Sequence, residues 1–346
     1  MQKKLWQSGI SLLRIVATLA VIFLHTNNTL SNNAEVFGLT GAQYVFFTTG
    51  THLMNWAVPV FLMITGSLLL NRDISYGQIL KIYVKRIVLA LFIFGVPFSM
   101  AESFMESRSI NVGMIGEAVV NVINGDSWGH LWYLYALIGL YLVLPLFKPA
   151  VDNLSRREFR ILLLVMFVLN FCVGIVNQVP GVHIAFQLPM SYTVFYVLLG
   201  KYMAQVYEMG DMLGGLRDKR LCVAGIAVMA VLIIVGCTFL DAGTYFGYAS
   251  PMIAVMAVLV FCLFKDLDVG QQWKDRIWKM DRICFGMYLV HPVFTNFFYK
   301  FLSVSPLSFG KLYPVGVLLF WLLFVVMAMV ASLIMNMIRP LRKWVL

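Results

Sequence analysis

The stretch "LLRIVATLAVIFLHTNN", Leu12 to Asn28, decides the fold class and poses the functional question. As a helix rising roughly 1.5 Å per residue, it belongs to an apolar run long enough to cross a hydrocarbon layer of about 30 Å. Yet it carries Arg14 and His25, and a charge inside hydrocarbon costs a few kcal/mol even on lenient insertion scales. Residues eleven apart lie three turns plus about 20° around a helix, so the two share one face, roughly 16 Å apart along the axis. Snorkelling accounts for an arginine near a helix end. It does not account for a histidine deeper on the same stripe.

The rest of the chain repeats the apolar half of this pattern. Of 346 residues, 61% are hydrophobic and 12% charged, with a mean hydropathy of +0.84; soluble domains run nearer half apolar and a quarter charged. Apolar runs fall near residues 9–29, 51–70, 86–104, 131–147, 161–178, 190–207, 221–240, 248–264, 283–300 and 314–337. They are too long for barrel strands and suit spanning helices. The expected fold is all-α and polytopic, with about ten transmembrane helices and 1–346 forming a single integral-membrane domain.

The net charge of +10 belongs to topology rather than to a nucleic-acid partner. With the N-terminus cytoplasmic, only Arg108, Lys300 and Lys311 of the 26 basic residues fall on the outer side, which is the positive-inside signature. Both termini are then expected in the cytoplasm, and an anionic ligand would meet the basic residues from that side. Lys3 and Lys4 resemble a signal-peptide n-region, but no small-x-small cleavage site follows. The five cysteines lie at unrelated spacings, mostly within apolar runs, and suggest neither a disulfide framework nor a metal site.

Few other residues offer chemistry. His291 sits in "CFGMYLVHPVF", within the ninth run beside Tyr288, and Pro292 after it removes a helical hydrogen bond. His130 opens the fourth run in "GHLWYLYALIGLYLVLP", where Trp128, Trp132, Tyr133 and Tyr135 read first as an interfacial aromatic belt. Taken alone, each of these histidines reads as a packed, hydrogen-bonded residue. Lys85 and Arg86 stand at the inner mouth of the third run; as topology determinants they need no function, and as neighbours of Arg14 they would form a phosphate site. No acidic residue lies clearly mid-membrane, which argues against a carboxylate proton relay. Nucleophile-elbow, phosphate-loop and dinucleotide motifs are absent from the sequence, so any enzyme chemistry here rests on histidine.

Arginine, ten residues, then histidine in the first span resembles the acyltransferase family 3 membrane proteins. Three further segments agree in family order: "WAVPVFLMITGSLLL" (Trp56 to Leu70), "HLWYLYALIGLYLVLPL" from His130, and "FGMYLVHPVF" from Phe285. Thr65 stands where that family usually has serine, keeping the hydroxyl. The chain looks closest to the short members without a fused extracytoplasmic domain, such as those that O-acetylate enterobacterial common antigen. The resemblance implies transfer of an acyl group, usually from acetyl-CoA, to a hydroxyl of a glycan or lipid-linked glycan at a bacterial inner membrane. It also implies His25 as general base or acyl carrier, with Arg14, Lys85 and Arg86 toward the CoA phosphates. His291, Tyr288, His130, Trp132 and Thr65 are then candidates for the substrate pocket, and no metal is implied. The competing expectation is a carrier or flippase that moves a polysaccharide or small acid without acyl transfer; a structural envelope subunit is a third.

Overall fold

A computed structural model describes residues 7–107, 113–177, 179–186, 190–205, 212–239 and 245–346, and no strand occurs among them. The main helices are α1 (Ser8–Ser31), α2 (Gly41–Met54), α3 (Ala57–Leu69), α4 (Lys85–Ser107), α5 (Gly113–Asn124), α6 (Trp132–Asp152), α7 (Arg156–Phe167), α8 (Tyr192–Gln205), α9 (Lys219–Phe239), α10 (Pro251–Phe264), α11 (Gln271–Asn296), α12 (Tyr313–Met337) and α13 (Arg339–Trp344). Among the described residues, six helical stretches are long and apolar enough to cross a membrane: Ser8–Ser31, Gly41–Leu69, Gly129–Asp152, Arg156–Val176, Lys219–Phe239 and Pro306–Met337. Their outward residues are oily. Leu319, Leu322, Val326 and Val330 of α12 are exposed, a pattern that is unfavourable in water and ordinary against lipid.

The four remaining apolar runs also fall largely in helices, α4, α8, α10 and the second half of α11. Two boundaries differ from the sequence expectation. The second span starts at Gly41 rather than near residue 51, because Thr40 and Gln43 form a reciprocal capping box that starts the helix earlier. The ninth run coincides with the apolar end of α11, which begins well before it, at Gln271, within charged sequence; charges alter which face of a helix can be buried without breaking it.

α2 and α3 form one broken span. Pro59 has no N–H to offer the carbonyl four residues back, at Asn55, and the chain turns at Asn55 and Trp56 before α3 resumes. The Asn55 side chain is then used elsewhere, its Nδ2 donating to Phe246 O at 2.7 Å.

Two compact units interleave along the chain. The first comprises residues 1–72 and 151–282, the second 73–150 and 283–346. In the first, α1 packs on α2 and α3, α3 crosses α8, and α9 packs on α10 and α2. The α3–α8 crossing is tight because glycines face backbone on both sides. A Cβ at Gly66 would stand 1.8 Å from Val197 O, and one at Gly200 would stand 2.0 Å from Met63 O. Below this crossing Lys201, 4% exposed, pairs with Asp152. In the second unit α4 packs on α5, and the Pro306–Leu312 turn packs on α12.

Candidate active site

In the first unit, α1 carries its polar residues by bonding them back into its own backbone. Thr18 Oγ1 donates to Arg14 O at 2.8 Å, Thr26 Oγ1 to Ile22 O at 2.8 Å, and Asn27 Nδ2 to Phe23 O at 2.9 Å. Such i−4 bonds satisfy donors where no water competes. His25 follows the same rule, with Nδ1 lying 3.0 Å from Val21 O. A carbonyl can only accept, so Nδ1 carries the proton, and in the neutral ring the lone pair resides on Nε2. The half-buried His25 is thereby held in the tautomer that a base or nucleophile at Nε2 requires.

Arg14 is not left to snorkel. Its Nη1 pairs with Asp281 Oδ1 of α11, and Asp281 Oδ2 accepts from Ser11 Oγ at 2.7 Å. The Arg14 side chain is 30% exposed and that of Asp281 is 12% exposed. Among the described residues, Arg14 Nε and Nη2 make no hydrogen bond. Thr65 Oγ1 donates to Phe61 O at 3.0 Å, so this hydroxyl is also turned into its own helix.

The second unit gathers three of the remaining candidates. The His130 and His291 rings lie 5.8 Å apart, and the Tyr288 ring lies 5.8 Å from His130 and 6.1 Å from His291. The Tyr288 hydroxyl donates to His130 O, and His130 Nε2 lies 3.3 Å from Leu289 O. His291 is fully buried, with Nδ1 at 2.7 Å from Tyr288 O. By the carbonyl rule, neutral His130 has its lone pair on Nδ1 and neutral His291 on Nε2. Trp128 stacks on Phe98 at 4.4 Å, and its indole Nε1 is buried without a hydrogen-bond partner. Trp132 faces Tyr133, the rings 6.1 Å apart.

Lys85 and Arg86 also belong to the second unit, where both meet the end of the chain. Lys85 Nζ sits 4.6 Å from the Trp344 ring centre. Arg86 Nε donates to Val345 O at 2.7 Å, its Nη2 donates to Leu346 O, and the guanidinium lies over Phe285 at 5.2 Å. No group of three or more His, Cys, Asp or Glu side chains is placed to hold a metal ion among the described residues.

Ten apolar runs, with a histidine and an arginine on one face of the first helix, form a constellation that can be compared with known families. A family model described as an acyltransferase domain, that of acyltransferase family 3, matches residues 7–337. The chain belongs to acyltransferase family 3. It is a multi-pass membrane acyltransferase. Among curated proteins and among solved structures nothing matches the chain. The family match spans every candidate residue above and stops before Trp344, Val345 and Leu346, the residues that Lys85 and Arg86 touch.

Sequence reasoning missed Asp281, Ser11 and the Phe98–Trp128 stack. The available signal for Asp281 was indirect: an arginine inside a span calls for a carboxylate partner. Which of 16 acidic residues supplies it is not encoded in any local pattern.

Proposed function

We propose that this acyltransferase moves an acyl group, acetyl in the first instance, from cytoplasmic acyl-CoA to a hydroxyl of a cell-envelope or exported glycan. The proposed setting is the bacterial cytoplasmic membrane. The observation that carries the reading is the fixed tautomer of His25, whose Nδ1–H is committed to Val21 O, on the helix face it shares with Arg14.

Two routes use the same atom. In the first, Nε2 accepts the proton of the acceptor hydroxyl while that oxygen bonds to the thioester carbonyl carbon; the C–S bond breaks, and the proton passes to the departing CoA sulfur. In the second, Nε2 bonds to the acyl carbon as the C–S bond breaks and CoA leaves as thiolate; the acceptor oxygen then bonds to that carbon, the C–N bond breaks, and the hydroxyl proton ends on the CoA sulfur. Arg14 offers N–H groups to the CoA phosphates, and Lys85 and Arg86 remain further candidates for that end. For the acceptor, the second unit offers aromatic faces and a buried, unpartnered Trp128 N–H, a combination suited to a ring bearing hydroxyls. His130, His291, Tyr288 and Trp132 are the residues we assign to it; Thr65, in the first unit, is a separate candidate for substrate contact.

Inside-out membrane vesicles given acetyl-CoA labelled in the acetyl group test the reading. Wild-type protein should place label on envelope glycan and His25→Ala should not, with both proteins folded. Label retained on His25 in acid-quenched protein selects the second route. Glycan or acid movement with no consumption of thioester would instead identify a carrier.

A further inference from the structure

We infer that Asp281 is a positioning residue for Arg14, turning one edge of the guanidinium toward an anionic ligand; the inference rests on the reading of Arg14 as the CoA-phosphate group. A guanidinium presents two paired-donor edges, one formed by both Nη atoms and one by Nε with Nη2. Asp281 takes Nη1, which belongs only to the first edge, so the Nε–Nη2 edge is left intact. That second edge has no hydrogen bond among the described residues, and its two parallel N–H vectors match two oxygens of a phosphate.

The carboxylate is itself held in place. One oxygen meets Arg14 and the other accepts from Ser11 Oγ at 2.7 Å. Ser11 is 4% exposed and lies three residues before Arg14, on the same face of α1. The carboxylate is therefore clamped by donors from two successive turns of one helix, while the backbone that carries it comes from another. Nearby cations on α11 are engaged elsewhere: Lys279 pairs with Asp275 at 2.8 Å, and Arg282 lies over Trp278 at 4.8 Å. An exposed, flexible ion pair would orient nothing. This one is mostly buried on the Asp281 side, joins residues 267 apart, and has a second bond to prevent the carboxylate from swinging.

The test uses the full-length protein in nanodiscs, with CoA as the binding probe for calorimetry and acetyl transfer as the kinetic readout. Asp281→Asn keeps an oxygen for the Ser11 hydroxyl and loses the charge. It should raise both Kd for CoA and KM for acetyl-CoA on the order of tenfold, lowering kcat far less, and Asp281→Glu should recover part of the loss. In an Arg14→Ala background, Asp281→Asn should cause no further loss of CoA affinity, because the group it orients is gone. This cycle keeps the test informative even if the single variant is less stable. CoA binding by wild type that Asp281→Asn leaves unchanged, or equal losses in the two backgrounds, overturns the positioning role alone. Wild-type protein that does not bind CoA overturns the donor reading and the inference with it.

Discussion

Pro292 leaves the carbonyl of Tyr288, four residues back, without its helical donor, and His291 Nδ1 lies 2.7 Å from that oxygen. A proline inside a helix costs about 3 kcal/mol relative to alanine, so the arrangement trades helix stability for a fixed histidine ring. Pro292→Ala would return the backbone donor to Tyr288 O and release His291 Nδ1–H to find another acceptor. The variant should melt at an equal or higher temperature than wild type while losing roughly tenfold in acyl transfer. Unchanged activity would show that the orientation of His291 is not used.

His25 has a separable structural and chemical role. Asparagine places an amide N–H near where Nδ1–H now meets Val21 O, but it supplies no base at the Nε2 position. His25→Asn should therefore keep wild-type thermal stability more closely than His25→Ala. Both should lose transfer by about a hundredfold or more, as expected when a general base is removed. Appreciable transfer by the asparagine variant would move the base elsewhere.

At the α3–α8 crossing, Gly66→Ala or Gly200→Ala puts a methyl group within 1.8 or 2.0 Å of an opposing backbone oxygen. Unlike a side chain, backbone cannot rotate away, so each change should cost at the upper end of the overpacking range, about 3 kcal/mol. The double variant should cost less than the sum, since the first methyl already separates the helices. Thermal melting in detergent measures all three, and strict additivity would contradict a shared contact.

Lys201 and Asp152 form an asymmetric pair, the side chains 5% and 39% exposed. Asp152→Ala leaves a buried ammonium without its carboxylate and should destabilise by on the order of 2 kcal/mol, below the fully buried case because Asp152 is itself partly exposed. Lys201→Met removes the charge that needs compensation and should cost less than Asp152→Ala. The reverse order in melting temperature would mean that the pair is held by packing of the lysine stem.

Part of the candidate site was legible because it is local. Arg14 and His25 share a face by helical geometry alone, and Pro292 announces a freed carbonyl four residues back. The carboxylate that meets Arg14 was not legible: Asp281 stands in a charged segment that reads as solvated helix end, and only its packing against α1 makes it a partner. The same holds for Arg86, read from its position as a mouth residue and found bonded to Val345 and Leu346.

The amino-acid sequence by itself determined the membrane environment, the helical fold class and the stripe on α1, because hydropathy and the 3.6-residue period act over a few turns of one chain segment. The tertiary structure alone decided that Asp281 meets Arg14, that His130 and His291 bring their rings to 5.8 Å, and that Gly66 and Gly200 face opposing backbone. Those pairings join residues more than 130 positions apart, and they depend on which helix packs against which face. Periodicity marks a face for contact, but the neighbour is chosen only when all the helices pack together.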